Sequence, residues 1–239
     1  VSGSWTTEFS YQLTHDIEVH YCENLTIEEG VTVRFAEGVG MTFKGTLIAE
    51  GKEEDRILFT TLTPTQLPGD WDNVELYGSS NLISYVDYEY ATDGFTGDFA
   101  DNSTFDHIRI SSGSMSLSAR GIYLTNSPYS SFLGNEISVS ESSHNIYCSE
   151  CAFSTFMSNV LDGGESGLYV PYGDSLVVEN NTITDFRRYG VYVYNSPNSK
   201  VNYNGLEIRE NALVGGTDQA NSGIYNPYYD HDEYSTEVK

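Results

Sequence analysis

The stretch that decides the fold is GIYLTNSPYSSFLGNEI, which occupies residues 121–137. Three further stretches align with it without a gap, and they begin at residues 145, 167 and 190. In each of the four, a bulky apolar residue stands 11 positions after the first residue, an asparagine 14 and an aliphatic residue 16. Spacings that recur every 22 to 24 residues predict a repeat protein, in which each unit packs only on its neighbours.

Each repeat predicts short strands rather than helices. Ile122 and Leu124 alternate with outward-facing residues, as do Val191 and Val193, and this alternation is the strand pattern. Gly, Asn, Ser and Pro fill the gaps and mark turns. No segment has a sustained period of 3.6 residues, and the pattern of leucine-rich repeats is absent. The prediction is therefore an all-β fold, a parallel β-helix (solenoid) of about nine or ten coils.

The N-terminal half resembles a known family. It reads NLTIEEGVTV at residues 24–33, GTLIAEG at 45–51, ILFT at 57–60 and GDW at 69–71. This succession resembles the opening coils of secreted right-handed parallel β-helix proteins of the pectate-lyase-like superfold, of the kind found at cell surfaces. The resemblance covers about residues 15–225. It implies the fold and an exported location, but the superfold includes lyases, glycosidases, adhesins and surface-layer components, so it does not imply one activity.

The repeat and the resemblance together predict one domain over residues 1–239. We expect a lead-in or cap over residues 1–24, the coils over 25–226 and an acidic tail over 227–239.

The recurring asparagine predicts a structural ladder. An amide at one place in every coil can hydrogen-bond to the amides above and below it, and it also tolerates the left-handed backbone of a sharp bend. The members of this predicted ladder are Asn135, Asn159, Asn181 and Asn204.

A tyrosine recurs one position after the inward aliphatic residue of each repeat. Strand alternation directs these side chains outward, and stacked coils would place them in a column. Such a column could do no more than stabilise the solenoid, or it could form a subunit interface or stack on sugar rings. The sequence leaves these three alternatives open. Its predicted members are Tyr123, Tyr147, Tyr169, Tyr192 and Tyr225.

Three cysteines are present, an odd number. Cys148 and Cys151 have the CxxC spacing, but the second pair of a zinc site and the βαβ context of a thioredoxin-type site are missing. A local disulfide or a pair of buried thiols is expected. Cys22 is left to pair with one of them or with another chain.

Charge excludes several classes of partner. The net charge is −24, with 35 acidic residues against 11 basic ones. Nucleic acids and anionic membrane surfaces would repel such a protein. The sequence contains no run of 18 apolar residues, which a membrane-spanning helix would need. No resident cofactor is expected. Because copies must be screened before they pack together, Ca²⁺ bridges between copies are a prediction.

We expect an extracellular protein. The chain starts at Val1 without an initiator Met, as a mature product would after removal of an export signal. Three triplets offer glycosylation candidates at Asn24, Asn102 and Asn180.

No catalytic string of the polygalacturonase type is present, and no zincin or triad spacing occurs, so the expectation is a protein that is not an enzyme. The leading hypothesis is a structural subunit of a surface layer, sheath or filament that associates with copies of itself. The alternatives are a protein that binds or cleaves a cell-surface carbohydrate and an adhesin module.

Overall fold

The computed structural model describes residues 1–111, 119–140 and 142–193 in full, and Tyr194 and three short strands at 207–209, 212–215 and 222–225 through their backbone. Within these ranges the chain forms 27 strands and no helix. Asn204 and residues 227–239, the predicted end of the asparagine ladder and the predicted acidic tail, lie outside the described residues.

The strands form three parallel sheets of nine strands each, and every third strand along the chain enters the same sheet. Sheet 1 contains β1 (Gly3–Trp5), β4 (Asn24–Ile27), β7 (Thr46–Glu50), β10 (Leu82–Ser84), β13 (Thr104–Asp106), β16 (Ser131–Leu133), β19 (Thr155–Met157), β22 (Val177–Glu179) and β25 (Glu207–Arg209). Sheet 2 contains β2 (Tyr11–Leu13), β5 (Thr32–Phe35), β8 (Ile57–Thr61), β11 (Val86–Tyr88), β14 (Arg109–Ile110), β17 (Glu136–Val139), β20 (Val160–Gly163), β23 (Thr182–Phe186) and β26 (Ala212–Gly215). Sheet 3 contains β3 (Ile17–Val19), β6 (Met41–Phe43), β9 (Val74–Leu76), β12 (Phe95–Asp98), β15 (Ile122–Thr125), β18 (His144–Ser149), β21 (Ser166–Pro171), β24 (Tyr189–Tyr194) and β27 (Ser222–Tyr225).

One strand from each sheet makes one coil, so the described strands make nine coils of a parallel β-helix. This confirms the predicted fold class. The lead-in expected over residues 1–24 differs from the structure, because β1, β2 and β3 already pair in parallel with the strands of the second coil. The first coil therefore begins at Gly3 rather than at Leu25.

The repeat spacings correspond to the three sheets. The first apolar residue of a repeat lies in sheet 3, where Ile122 is in register with Ile146. The residue 11 positions after the repeat start lies in sheet 1, where Phe132 is in register with Phe156. The aliphatic residue at position 16 lies in sheet 2, as Ile137 does. All of these side chains are buried inside the coil, so three apolar positions per repeat build a continuous core.

The core contains stacked rings as well as aliphatic side chains. The rings of Phe105, Phe132 and Phe156 follow one another at 5.3 and 4.7 Å between centroids, nearly parallel. In the earlier coils, Phe35 stacks on the fully buried Trp71 at 3.9 Å. The phenylalanine stack arises because consecutive coils place Phe105, Phe132 and Phe156 at the same register position.

The asparagine ladder is present in the described coils. The Oδ1 atom of Asn159 accepts from the backbone N–H and the Nδ2 of Asn135, at 3.0 and 2.9 Å. The Nδ2 atom of Asn159 donates to the carbonyl of Phe132 and to the Oδ1 of Asn181. All three amides are buried, so the ladder satisfies backbone groups at the bend between sheets 1 and 2 that no strand partner reaches.

One part of the ladder prediction was wrong. The ladder asparagines do not supply the left-handed backbone of the bend, because the positive φ angles fall one residue earlier, at Gly134, Ser158 and Asn180. The bend thus divides two tasks between neighbours: a residue with a positive φ turns the chain, and the buried asparagine that follows it closes the hydrogen bonds.

Replacing Asn159 by alanine should lower the free energy of unfolding by about 3 kcal/mol. The change leaves the N–H of Asn135 and the carbonyl of Phe132 buried without these partners, and each unsatisfied group costs about 1 to 3 kcal/mol. Urea unfolding measures the loss. The matched control is Ser158→Gly, an exposed neighbour at φ 59°, which should change stability by less than about 0.5 kcal/mol. Equal stability of the two variants would contradict a structural role for the ladder.

Candidate functional site

The outer face of sheet 3 carries the predicted tyrosine column. Tyr123, Tyr147, Tyr169 and Tyr192 occupy the same register position in β15, β18, β21 and β24. Their inward neighbours are fully buried, whereas the tyrosines are half-buried, so the expected alternation is confirmed. The backbone of Tyr225 in β27 is in register with Tyr192, and its side chain lies outside the described residues.

The tyrosine column is a stack of rings. Centroids are separated by 4.2 Å between Tyr123 and Tyr147, by 5.5 Å between Tyr147 and Tyr169, and by 4.3 Å between Tyr169 and Tyr192. The planes of successive rings differ by no more than 9°. Because neighbouring rings cover the flat faces, the column offers mainly ring edges and hydroxyl groups to solvent.

A guanidinium covers the N-terminal end of the column. The Cζ of Arg120 lies 4.6 Å from the centroid of Tyr123. Asp93 holds Arg120 in place, because its carboxylate accepts from the backbone N–H at 2.8 Å and from Nε at 3.2 Å, and this hydrogen bonding raises the pKa of Arg120. One coil earlier, Thr96 stands in register with Tyr123, so no ring continues the stack in that direction.

The imidazole of His144 lies beside the column, which the sequence alone did not indicate. Its ring stacks on Tyr169 at 4.7 Å and approaches Tyr147 at 5.7 Å. Burial lowers the pKa of His144, although the nearby carboxylate of Glu165 opposes the shift. The neutral ring therefore extends the aromatic surface sideways. The sequence alone could not place His144 beside the column, because its register with Ser166 follows from the strand pairing.

Burial also raises the pKa of Tyr147 and of Tyr169; the neighbouring Tyr123 adds to the rise at Tyr147, whereas a hydrogen bond with Tyr192 opposes the rise at Tyr169. Both shifts favour the neutral phenol in the folded protein. The stack consequently behaves as one partly desolvated unit rather than as separate surface phenols.

The stacking separates the three roles that the sequence left open for the column. A sugar needs an uncovered ring face, and inside the stack each face meets another ring. A ladder that stabilises the solenoid and an interface made of ring edges both fit this geometry. We therefore favour these two roles over glycan stacking.

The turn from sheet 3 to sheet 1 forms a corner of the rod and contains the CxxC motif. Cys148, at the end of β18, and Cys151 form a disulfide with 5.6 Å between their Cα atoms, so the expected local pairing is present. Both cysteines are fully buried. In the preceding coil, Ser127 holds the same turn by donating to the carbonyl of Thr125 at 2.6 Å. Cys22 is free and exposed on the first corner of this series, which leaves its pairing with another chain a prediction.

The same corner carries exposed rings that sequence reasoning missed. They come from four successive turns, and all have a positive φ: Phe99, Tyr129, Phe153 and Tyr172. We call these four residues the aromatic corner. Tyr129 and Phe153 each stand six positions after a tyrosine of the column, which was the available signal. This spacing does not by itself predict exposure, because turns have no hydrophobic period that distinguishes an exposed ring from a buried one.

The three glycosylation candidates differ in their surroundings. Asn24 begins β4, Asn102 lies on the corner before β13, and Asn180 makes the bend before Asn181. All three side chains are exposed, so glycosylation of each stays a prediction.

The acidic surface contains carboxylates that influence one another. Burial raises the pKa of Asp72, and the charges of Asp16 and Asp93 add to the shift. In the part of the chain that the structure describes, no three or more His, Cys, Asp or Glu side chains are grouped as metal ligands. Bridging of copies by Ca²⁺ stays a prediction. No helix in the same ranges is long and apolar enough to cross a membrane.

Comparison with known proteins agrees with the architecture. The family described as "Right handed beta helix region" matches residues 67–213. Among solved structures, the "Crystal Structure of the periplasmic alginate epimerase AlgG" aligns with a TM-score of 0.39 and 9% identity, over 88% of this chain and 75% of that chain. So remote a likeness carries no argument about what the chain does. No curated protein sequence matches the chain.

Stability should fall as the pH rises above about 10, partly through the tyrosine column. A pKa raised in the folded state gives stability that is complete below the ordinary value of 10.0 and is lost as the pH rises through the folded pKa. In the double variant Tyr147→Phe/Tyr169→Phe the loss should be shallower, as measured by urea unfolding between about pH 9 and pH 11.5. Tyr129→Phe removes an exposed phenol and serves as control. If the free energy of unfolding fell as steeply with pH in the double variant as in the wild type, the raised pKa values of Tyr147 and Tyr169 would be contradicted.

Removing the disulfide should cost about 2 kcal/mol, because it closes a loop of only four residues. The variant is Cys148→Val/Cys151→Ser, which copies Val170 of the next coil and Ser127 of the preceding one. Thermal unfolding measures the difference. Cys22→Ser, at the exposed free cysteine, should leave the midpoint unchanged. A larger effect at Cys22 than at the pair would show that the disulfide does not hold the corner.

Proposed function

The chain belongs to the right-handed β-helix family, and we propose that it is a structural subunit of an extracellular assembly, such as a surface layer, sheath or filament. In this proposal the protein acts through its shape and its surface and is not an enzyme. Its partners are copies of itself.

The observation that carries the proposal is that outward side chains are engaged with the neighbouring coils. Lys and Arg side chains pair with an acid of the adjacent coil, as Arg56 does with Asp87 at 2.6 Å and Arg109 with Glu136 at 3.1 Å. Lys44, Lys52, Arg120 and Arg188 do the same. Each exposed pair contributes little alone. Together with the tyrosine column and the asparagine ladder, these ion pairs connect each coil to the next, which is what a stiff rod requires.

The charge of the rod argues against capture of an acidic polymer and makes association of copies dependent on screening. With basic groups neutralised by neighbouring acids, the net charge of −24 would repel a polyuronate chain. It would also repel a second copy at low ionic strength. Salt or divalent cations should therefore promote assembly.

The alternatives are a protein that binds or cleaves carbohydrate and an adhesin module. The covered ring faces of the tyrosine column are the reason to place the carbohydrate function second. An adhesin would share the rod but would bind a different protein. These alternatives are outcomes of the experiment below.

Particle mass should rise with protein concentration and with ionic strength. Sedimentation velocity over about 10 to 500 μM protein, in NaCl from about 50 mM to 1 M and with or without millimolar Ca²⁺, measures it, and negative-stain electron microscopy shows the particle shape. We expect species heavier than the 26.6 kDa chain, growing as salt is added. A monomer under all conditions, or specific binding to a glycan array, would contradict the structural role.

A further inference from the structure

The tyrosine column divides into two close pairs of phenol rings. The ring centroids of Tyr123 and Tyr147 are 4.2 Å apart. Those of Tyr169 and Tyr192 are 4.3 Å apart, whereas the separation from Tyr147 to Tyr169 widens to 5.5 Å. The imidazole of His144 lies beside this wider gap, 4.7 Å from the ring of Tyr169 and 5.7 Å from that of Tyr147. The column is therefore two phenol pairs with a histidine at the gap between them.

Strand pairing aligns the two rings of each pair. The Cα atoms of Tyr123 and Tyr147 are opposite each other in the parallel ladder, and the ring planes differ by 9°. Tyr169 and Tyr192 are also opposite each other, with planes 3° apart. Two rings related in this way are nearly translated copies. The Cε atoms beside one hydroxyl therefore lie about one centroid spacing from the Cε atoms beside the other.

Aligned phenols can undergo a reaction that an isolated tyrosine cannot. Removal of one electron and one proton from a phenol leaves a phenoxyl radical, and the unpaired electron is shared between the oxygen and the ring carbons, including both Cε atoms. Two such radicals combine by forming a bond between their Cε atoms. Each ring then becomes aromatic again when the hydrogen on the bonded carbon moves to its oxygen. The reaction is fast where the two rings are already held in contact.

The surroundings of the column direct oxidation to these pairs. All four tyrosines are half-buried and present their hydroxyl edges to solvent, whereas the oxidisable core rings of Trp71 and Tyr88 are fully buried. Exposed tyrosines elsewhere can also lose an electron, but their neighbours differ. Tyr129, for example, stacks on Phe153, which has no hydroxyl group to oxidise. An oxidised Tyr129 therefore has no phenol stacked on it there.

The first pair is the more isolated of the two. The guanidinium of Arg120 lies 4.6 Å from the ring of Tyr123, and Thr96 occupies the next register position beyond it. In the second pair, Tyr192 also approaches Tyr189 at 4.9 Å, with planes 45° apart. Coupling should consequently be most selective at the first pair.

We infer that the tyrosine column is a site of oxidative cross-linking, in which Tyr123 couples to Tyr147 and Tyr169 couples to Tyr192. The co-reactant is a one-electron oxidant of phenols. Each coupling forms one Cε–Cε bond and breaks two O–H bonds and two C–H bonds, while two O–H bonds form again. Two electrons pass to the oxidant and two protons to water.

The new bonds would join neighbouring coils covalently, as the disulfide of Cys148 and Cys151 joins the two ends of one turn. The inference goes beyond the proposed function. It concerns a single rod and holds whether or not copies associate.

The test is photo-oxidation of dilute protein with tris(bipyridyl)ruthenium and persulfate, a small one-electron oxidant. The protein carries Cys22→Ser, because the exposed thiol of Cys22 would otherwise consume radicals. N-acetyltyrosine oxidised in parallel verifies the oxidant. The monomer is then isolated and cleaved after glutamate. Cleavage at Glu136, Glu150 and Glu179 puts the four tyrosines on separate peptides, so mass spectrometry identifies each cross-link by its two peptides and the loss of two hydrogen atoms.

We expect links from 123 to 147 and from 169 to 192, with a link from 147 to 169 at least about tenfold rarer because those rings are farther apart. Tyr147→Phe should abolish the first link and leave the second. Tyr169→Phe should do the reverse, so each variant is the matched control for the other. Both keep an aromatic ring in the stack, and circular dichroism checks that the fold is retained.

Two results would overturn the inference. One is a folded monomer without cross-links in the column although N-acetyltyrosine has coupled. The other is a 147–169 link as abundant as the two expected ones. Neither result bears on the proposed function, because association of copies is not measured in this experiment.

Discussion

Parallel pairing of each coil with the next is the constraint on which the rest of the structure depends. It places equivalent residues of successive repeats about 4.8 Å apart, so any side chain that recurs in the sequence meets its own kind in space. Asn135, Asn159 and Asn181 become a hydrogen-bond ladder, and Phe105, Phe132 and Phe156 become a stack inside the core. Like charges would repel in such an arrangement, which explains why basic groups such as Arg56 pair with an acid one coil away.

The same constraint gives two groups of rings different properties. In the tyrosine column the rings stand on strands, pack face to face and keep their phenols partly desolvated. In the aromatic corner the rings stand on turns, and Tyr129 stacks on Phe153. Strand positions therefore stack aromatic side chains along the rod, whereas the turn positions hold exposed rings.

The fold could be read from the sequence because three apolar positions in each repeat map directly onto three sheets, as Ile122, Phe132 and Ile137 show. The asparagine ladder and the tyrosine column followed from the same spacings. The first coil was missed because residues 1–24 precede the recognisable pattern. The left-handed bend was placed one residue late, at Asn159 instead of Ser158, because both residue types are common in turns. The aromatic corner could not be predicted, since exposure in a turn depends on the stacking of neighbouring coils and not on local periodicity.

Small-angle X-ray scattering of the associated protein tests the central claim most directly, because it measures length and cross-section separately. Nine coils give a rod of about 43 Å along its axis. Association of copies as salt is added should lengthen or thicken this rod, and the two measured dimensions distinguish joining through the ends from joining through the sides. A particle that keeps the length and cross-section of a single rod at every salt concentration would contradict the account.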